Sequence, residues 1–383
     1  MVDVILPPAT IGVIGGGQLG RMMAIAARQM GYGVAVLEPG PNGPLAQIAD
    51  IEINAPYDDA AALRELLDAS AVTTYEFENI SAETVADLAA HGNLPQGPRP
   101  VHVTQHRMRE KDAINDAGYA TAPYISVSSS AELDAAIARI GFPAILKTVT
   151  GGYDGKGQWR LNSAADLPAA HQVVADTPCV LEGFVPFERE ISVIVTRSIT
   201  GEAEVFGPIE NLHRNGILHV SIAPARVSPD LAEQAREIGL GLMDRLGFVG
   251  TLAIEMFVIN DDDDDGAPGI VINELAPRPH NSGHLTIDGY NVSQFENHVR
   301  AITGLPLIKP ELVQPAVMVN LLGQHVGYAL DKWQTPEFGW GKMHLYGKDE
   351  MKRDRKVGHL TFVHPDAAKL HETVAAFLAS FPE

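Results

Sequence analysis

The stretch "TIGVIGGGQLGRMM", residues 10–23, contains an apolar strand, a glycine-rich turn and an apolar helix in succession. The turn, Gly15–Gly20, fits the pattern G-x-G-x-x-G, and Glu38 lies at the end of the next apolar run. In a strand–turn–helix unit this pattern predicts that backbone N–H groups at a helix N-terminus face an anionic ligand. Taken alone, the stretch indicates a domain that binds NAD or FAD.

The residues around this turn, 11–92, alternate between strand and helix patterns. Short buried strands are predicted at Ile11–Ile14, Val34–Leu37 and Val72–Tyr75. Helices are predicted between them at Gln18–Met30, Ala60–Ala69 and Ser81–His91. Strands separated by helices favour a doubly wound parallel sheet. The Pro- and Gly-rich stretch "NLPQGPRP", residues 93–100, closes this unit, and one helix is predicted over 104–118.

The remainder of the chain favours a different class, α+β with a mostly antiparallel sheet. Strands are predicted at "FPAILKTV", "QWRLN" and "CVLEGFV", with a helix from Ser163. Long strands of alternating polarity follow from Glu188, interrupted by a helix at Asp230–Leu246. The acidic run Asp261–Asp265 predicts a solvated hairpin loop rather than a metal site, because adjacent carboxylates repel each other.

Composition limits the possible partners. The 383-residue chain carries a formal net charge of −20, which disfavours a basic nucleic-acid surface and binding to anionic membranes. The single cysteine, Cys179, excludes an intrachain disulfide and is interpreted as a small core residue. The first residues lack the pattern of a signal peptide, so we expect a cytoplasmic protein.

A second glycine-rich stretch, "LKTVTGGYDGKGQW" at residues 146–159, lies between two predicted strands. It is not a Walker A loop, because Lys156 is followed by Gly157 and Gln158 rather than by Ser or Thr at the start of a helix. A glycine loop between strands can instead cover a triphosphate, with Lys147 and Lys156 adding positive charge. A plain hairpin turn is the alternative interpretation.

Two acidic residues, Glu255 and Glu274, interrupt otherwise apolar strands. Since buried carboxylates are costly unless they are paired or bound to metal, the two predict a Mg²⁺ site beside nucleotide phosphates. The alternative is that one of them pairs with a buried Arg or Lys. After Glu274, the run "LAPRPHNSGH" predicts contacts to a polar, anionic substrate. Its Pro279 and Gly283 argue against a helical zinc site.

These motifs together resemble the ATP-grasp superfamily, in particular its 5-(carboxyamino)imidazole ribonucleotide synthases. The matching stretches are "GVIGGGQLGRM", "TYEFEN", "GGYDGKGQ", "EGFVPFEREISVI", "ENLHRNGIL", "NELAPRPHNSGH", and a late "YGK" with "RKVGH". The resemblance implies an N-terminal Rossmann-like domain (1–108), a central lid domain (109–184) and a C-terminal, mostly antiparallel domain with the metal and substrate sites (185–383). It also implies a homodimer.

The resemblance further implies that ATP, bicarbonate and 5-aminoimidazole ribonucleotide react through carboxyphosphate. The products are 5-(carboxyamino)imidazole ribonucleotide, ADP and phosphate, in purine biosynthesis. Mg²⁺, or alternatively Mn²⁺, is implied at Glu255 and Glu274. Many members have Glu-x-Asn where this chain has Glu274-Leu275-Ala276, so no third side-chain ligand is expected there.

The nucleotide residues follow from the same resemblance. Phosphate contacts are implied for Arg107 and Lys147, and the covering flap for Gly152, Tyr153, Asp154, Gly155, Lys156, Gly157 and Gln158. The adenine contacts implied are Glu182, Phe184 and Val185. Glu190 is implied for the ribose, and the nucleotide site is completed by His213 and Asn273.

The roles toward the other substrates are implied in the same way. Arg278 is the candidate for holding bicarbonate or carboxyphosphate, because its planar fork matches an oxyanion. The candidates for orienting the aminoimidazole or taking a proton are His280, Asn281 and Asp154. The remaining implied ribonucleotide contacts are Gln18, Leu19, Glu76, Tyr153 and Ser282, with Lys348, Arg355 and Lys356 for its 5′-phosphate.

Three other functions compete with this interpretation. One is a formate-dependent glycinamide ribonucleotide transformylase, which belongs to the same superfamily. "PRPHNSGH" and "YEFEN" favour the aminoimidazole enzyme over it. The others are an NAD- or FAD-dependent oxidoreductase built on residues 11–38 and a catalytically silent regulatory subunit. Both are disfavoured, because a separate nucleotide site with all its expected ligand positions is present.

Overall fold

The structure, a computed structural model, describes residues 3–152, 155–260 and 268–382. The predictions for Tyr153, Asp154 and the Asp261–Asp265 run lie outside the described residues. Within the described ranges, no helix is long and apolar enough to cross a membrane.

A parallel sheet forms the N-terminal region, with the strand order β3-β2-β1-β4. The predicted strands and helices are confirmed, and one strand is added that sequence analysis missed. This strand, β3, escaped prediction because three of its four residues are exposed, so it has no apolar run. The elements are β1 (Thr10–Ile14), α1 (Gln18–Gln29), β2 (Gly33–Glu38), β3 (Ile51–Asn54), α2 (Ala60–Ala69), β4 (Val72–Tyr75) and α3 (Ala82–His91).

The predicted helix over residues 104–118 is wrong in its extent. Two helices occupy this region, α4 (Arg99–Thr104) and α5 (Arg107–Asp116), and His106 between them has an extended backbone. The Gln105 side chain donates to the carbonyls of Glu78 and Ile80, each at 2.5 Å. These tertiary contacts accompany the break between the two helices. Local sequence patterns do not reveal such contacts between distant residues.

A smaller antiparallel sheet, in the order β5-β8-β6-β7, forms the central region. Strands β6 and β7 flank the second glycine-rich stretch, as predicted. Cys179 is buried in the core of this sheet, which confirms its interpretation as a core residue. The elements are β5 (Tyr124–Val127), α6 (Ser130–Ile140), β6 (Ala144–Thr148), β7 (Gln158–Leu161), α7 (Leu167–Asp176) and β8 (Cys179–Gly183).

A large antiparallel sheet makes up the C-terminal half, in the order β13-β12-β9-β10-β11-β14-β16-β15. The predicted ATP-grasp architecture of a parallel N-terminal sheet and a C-terminal antiparallel sheet is thereby confirmed. The elements are β9 (Arg189–Arg197), β10 (Ala203–Arg214), β11 (Ile217–Ala223), α8 (Pro229–Leu246), β12 (Gly250–Asn260), β13 (Pro268–Ala276), α9 (Thr286–Gly289), α10 (Gln294–Thr303), β14 (Ala316–Leu322), α11 (Val326–Trp333), β15 (Lys342–Leu345), β16 (Lys356–Val363) and α12 (Ala367–Leu378).

A buried polar chain joins the N-terminal sheet to the large sheet. The Thr251 N–H on β12 donates to Nδ1 of His298 at 3.2 Å, so Nε2 carries the ring proton and faces the Thr74 hydroxyl at 2.9 Å. That hydroxyl donates to Oε1 of Gln96 at 2.6 Å. Because every donor meets an acceptor, the chain fixes the two sheets in one relative position.

Candidate active site

A cleft of about 1140 Å³ opens between the three sheets. All but two of the predicted site residues that the structure describes line it, which brings together side chains from residues 18 to 356. The residues placed there are Gln18, Leu19, Glu76, Arg107, Lys147, Gly152, Gly155, Lys156, Gln158, Glu182, Phe184, Val185, Glu190, His213, Glu255, Asn273, Glu274, Arg278, His280, Asn281, Lys348, Arg355 and Lys356.

The first glycine-rich turn is closed by the protein's own carboxylates. Glu38 accepts the Gly16 N–H at 2.6 Å, and Glu76 accepts the N–H groups of Gly17 and Gly20. A helix N-terminus attracts anions, and here these two side chains fill the position that a pyrophosphate would take. The sequence pattern alone indicated a dinucleotide, and the folded turn does not offer that site.

The central sheet brings two lysines to one buried glutamate. Glu182 on β8 accepts from Nζ of Lys147 at 2.8 Å and lies 3.2 Å from Nζ of Lys111 on α5. Burial alone would raise the pKa of Glu182, but the two ammonium groups hold it below its ordinary value. Sequence analysis missed Lys111, since its only signal was a charged residue in a strongly polar helix.

The two strand-borne glutamates face each other, as predicted. Glu255 on β12 pairs in register with Glu274 on β13. Burial, and then repulsion from Glu274, raises the pKa of Glu255 to about 7. The alternative of pairing with a cation is also partly realised, because Arg107 Nη1 lies 3.3 Å from Glu274. Two facing carboxylates whose charges repel are a donor set that suits a divalent cation.

No group of three or more His, Cys, Asp or Glu side chains capable of holding a metal occurs among the described residues. The donor set of the predicted metal site therefore consists of two carboxylates, with the amide of Asn273 lining the same cleft. Two carboxylates combined with phosphate oxygens and water match the coordination that Mg²⁺ prefers.

His280 lies beside the glutamate pair. Its Nδ1 receives the Ser282 N–H at 3.3 Å, so the proton is assigned to Nε2, which lies 3.2 Å from Glu255. Burial, and then the charge of Arg278, holds the pKa of His280 well below its ordinary value, so the ring is neutral. A neutral imidazole held through both nitrogens has a fixed orientation, so this ring can help to orient a bound substrate.

Ser282 and Gly157 are the two predicted residues outside the cleft lining. Ser282 is fully buried, and its hydroxyl contacts Nδ1 of His280 at 2.9 Å and the Ser192 hydroxyl at 2.8 Å. In this position Ser282 supports the His280 ring, and its contact with the ribonucleotide stays a prediction. Gly157 has a φ of +70°, and a Cβ there would lie 2.8 Å from the Thr148 hydroxyl, so it shapes the loop through its backbone.

Arg278 and Asn281 already have partners within the protein. Arg278 makes a two-pronged ion pair with Glu78, a residue that sequence analysis did not select. Asn281 exchanges amide hydrogen bonds with Asn320 at 3.0 and 2.8 Å. Both side chains are thereby oriented before a ligand arrives.

A segment rich in cations lines the cleft, and we call residues 348–356 the basic segment. Lys348 donates to the Lys356 carbonyl at 2.6 Å, which folds the segment back on itself. A Cβ at Gly323, the residue after β14, would collide with the Lys352 carbonyl, so only glycine permits this close approach to the segment. The segment contributes Lys352 and Arg353 to the cleft besides the three predicted cations, and the density of charge in the sequence was the available signal.

Aromatic side chains and a histidine–glutamate pair also line the cleft. Phe187 and Phe257 stack with their centroids 4.5 Å apart, and the Arg160 guanidinium lies 4.2 Å from the Phe184 ring centroid. His213 hydrogen-bonds Glu190; burial would lower the pKa of this histidine, but the Glu190 contact raises it. Sequence analysis did not select Arg160 and the stacked phenylalanines, because isolated side chains of these types carry no motif or periodic signal.

Three protein-family models match the chain. The "ATP-grasp domain" matches residues 112–295, the "Ribonucleotide synthetase preATP-grasp domain" matches 8–105, and the "Phosphoribosylaminoimidazole carboxylase C-terminal domain" matches 316–373. The matches follow one another along the chain and place the first glycine-rich turn in a ribonucleotide synthetase domain rather than in a dinucleotide-binding one.

Relatives match over nearly the whole length. The N5-carboxyaminoimidazole ribonucleotide synthase of Bacillus subtilis (strain 168) is 47% identical over 362 residues, covering 94% of this chain and 93% of the relative. A crystal structure of an ADP complex of N5-carboxyaminoimidazole ribonucleotide synthetase superposes with a TM-score of 0.94 at 49% identity, covering 98% of each chain. An Aspergillus clavatus synthase in complex with ADP and 5-aminoimidazole ribonucleotide has a TM-score of 0.87 at 28% identity, covering 97% of this chain and 98% of that one. The chain belongs to the N5-carboxyaminoimidazole ribonucleotide synthase family.

Proposed function

We propose that the cleft carboxylates the exocyclic amine of 5-aminoimidazole ribonucleotide, using bicarbonate and ATP. The reaction yields 5-(carboxyamino)imidazole ribonucleotide, ADP and phosphate. The main observation behind this proposal is that three features line one cleft: a glycine loop with two lysines, a pair of facing glutamates and the basic segment. This arrangement supports the binding of two phosphorylated ligands with an activated bicarbonate between them.

ATP occupies the side of the cleft between the central and the large sheets. Arg107, Lys147 and Lys156 neutralise phosphate charge, and Gly152, Gly155, Gly157 and Gln158 form the described part of the flap. Since the Glu182 carboxylate is held by two lysines, the backbone from Glu182 to Val185 makes the adenine contacts. Glu190 and His213 read the ribose, and Asn273 completes the site.

Glu255 and Glu274 hold Mg²⁺, with Mn²⁺ as the alternative. The fit rests on two carboxylates that face each other across paired strands, and on the raised pKa of Glu255, which shows how costly their charges are without a cation. The ion, when bound, neutralises phosphate oxygens and polarises the bond to the leaving ADP. Glu274→Gln should abolish Mg²⁺-dependent ATP turnover, and unchanged turnover would reject the assignment.

Carboxyl transfer takes place beside Arg278. Its guanidinium holds bicarbonate and then carboxyphosphate, while the amine of the ribonucleotide is oriented by His280 and Asn281. The backbone of Gln18 and Leu19 and the Glu76 carboxylate hold the ribose end, and the 5′-phosphate lies on Lys348, Arg355 and Lys356. Tyr153 and Asp154, outside the described residues, are proposed as ribonucleotide contacts, with Asp154 a candidate for orienting the aminoimidazole or taking a proton. Because carboxyphosphate hydrolyses readily, closure of the cleft serves to exclude water.

The basic segment gives the sharpest test of this orientation. Arg355→Ala should raise the KM for 5-aminoimidazole ribonucleotide by about tenfold or more, because a charge-assisted contact to phosphate is lost. The KM for ATP should stay within about twofold of the wild-type value. Lys369→Ala, which removes an exposed cation on α12, is the matched control. Equal changes in both KM values would reject the phosphate site.

We also propose that the chain works as a cytoplasmic homodimer, as the family resemblance implies. Its net charge of −20 suits a protein that handles small anions through local cation clusters rather than through a charged macromolecular surface. Analytical ultracentrifugation of the purified chain tests the assembly: a single species of twice the 41.1 kDa chain mass is expected, and a monomer at assay concentration would reject it.

A further inference from the structure

Glu78 lies in the loop that follows β4 and lines the cleft together with Arg278. Its two carboxylate oxygens face Nε and Nη2 of Arg278, with the Nη2 to Oε1 distance at 3.1 Å. The Arg278 side chain is 18% exposed and that of Glu78 is 23% exposed. A two-pronged pair that is this sheltered fixes the guanidinium plane, unlike a solvent-exposed pair that is free to reorient.

The pair determines which edge of Arg278 remains available. A guanidinium carries five N–H donors. Among the contacts of the described residues, Glu78 takes Nε and one hydrogen of Nη2, and the Pro279 carbonyl takes one hydrogen of Nη1 at 3.3 Å. One hydrogen on each of Nη1 and Nη2 remains, so the end-on edge between these two nitrogens is the place for a planar oxyanion.

The backbone of Glu78 is itself anchored. Gln105 donates from its amide to the carbonyls of Glu78 and Ile80, each at 2.5 Å. Gln105 lies two residues before α5, and the first residue of that helix, Arg107, is a proposed phosphate ligand. The loop that carries Glu78 is therefore attached by hydrogen bonds to the segment that begins the proposed ATP site.

We propose that Glu78 is a positioning residue for carboxylation, which aims the end-on edge of Arg278 at bicarbonate. The inference rests on the proposed function and adds a residue of the N-terminal region to the carboxylation site. Glu78 binds one side of the guanidinium and fixes its orientation. The remaining N–H donors therefore point in one direction when the oxyanion binds.

A role of Glu78 as the proton acceptor fits the structure less well. Burial would raise the pKa of Glu78, but the charge and hydrogen bonds of Arg278 hold it below its ordinary value. A carboxylate engaged through both oxygens is a weak base for an amine proton. We therefore assign Glu78 to orienting Arg278 rather than to taking the amine proton.

The test compares Glu78→Gln with wild-type enzyme in steady-state assays of phosphate release. The amide keeps the shape of the side chain but loses its charge and one acceptor. We expect the KM for bicarbonate to rise by about tenfold, because a charge-assisted contact that orients Arg278 is lost. The KM for ATP should remain within about twofold of wild type. Glu65→Gln, an exposed glutamate on α2, is the matched control.

Other outcomes overturn the proposal. An unchanged or lowered KM for bicarbonate would mean that Glu78 does not aim Arg278, and equal rises in both KM values would indicate a merely structural role. If Glu78→Gln fails to fold, Glu78→Asp provides the same comparison, since its shorter side chain keeps the charge but cannot reach both nitrogens from the anchored loop. Absence of bicarbonate-dependent phosphate release in the wild type would instead reject the proposed function, whatever the variants do.

Discussion

The free energy of unfolding should fall in acid, because the hydrogen-bond chain between the N-terminal sheet and the large sheet requires a neutral histidine. His298 is fully buried, and burial lowers its pKa from 6.5 to about 4. Its Nδ1 accepts the Thr251 N–H, and its Nε2 faces the Thr74 hydroxyl. A second ring proton would meet a backbone donor at Nδ1, so protonation opposes the chain of hydrogen bonds.

The sign and size of the effect follow from this pKa. Between pH 6.5 and about 4, the unfolded chain holds a proton on His298 that the folded chain lacks. Unfolding therefore takes up a proton, and the free energy of unfolding falls as the pH falls. A shift from 6.5 to about 4 corresponds to about 3 kcal/mol, at about 1.36 kcal/mol per pKa unit. This contribution is complete above pH 6.5 and lost near pH 4.

Urea unfolding of wild type and His298→Gln over this pH range measures the effect. The variant should be less stable near neutral pH, and the difference should shrink by about 3 kcal/mol by about pH 4. His102→Gln, an exposed histidine on α4, controls for the general loss of an imidazole. A difference between wild type and His298→Gln that does not change with pH would refute the reasoning.

Two further substitutions test the site. Lys111→Met leaves one oxygen of buried Glu182 without its cation, so the free energy of unfolding should fall by about 3 kcal/mol in calorimetry; an unchanged melting temperature would contradict this. Gly17→Ala places a Cβ 2.4 Å from the Glu76 carboxylate, so the KM for 5-aminoimidazole ribonucleotide should rise while that for ATP holds. Gly40→Ala, with open space around its Cβ, is the control. If Gly17→Ala and Gly40→Ala have the same KM for 5-aminoimidazole ribonucleotide, the proposed role of Glu76 is refuted.

Sequence analysis predicted those parts of the site that depend on local patterns. Glu255 and Glu274 stand out because each breaks an apolar strand, and a carboxylate in such a position needs a partner. The flap was recognisable because its glycines and lysines are contiguous. The parallel N-terminal sheet followed from short strand patterns that alternate with helix patterns, and the exposed strand β3 lacked such a signal.

The contacts that sequence analysis missed join residues that are far apart along the chain. Glu78 and Arg278 are separated by 200 positions, and neither the charge nor the spacing of one predicts the other. Lys111 looked like a solvated helix residue until the fold buried it against Glu182. The carboxylates that close the glycine-rich turn were likewise hidden, since the turn has the same sequence pattern whether its N–H groups meet a ligand or a side chain.

The central claim is that one cleft couples ATP cleavage to carboxylation of an aminoimidazole. Its most direct test is phosphate release by the purified chain with Mg²⁺ and ATP, with bicarbonate and 5-aminoimidazole ribonucleotide present together or omitted one at a time. Phosphate release should be fast only when both are present, and should match the amount of carboxylated ribonucleotide formed. Release that is as fast without bicarbonate, or that requires formate and glycinamide ribonucleotide instead, would contradict the account.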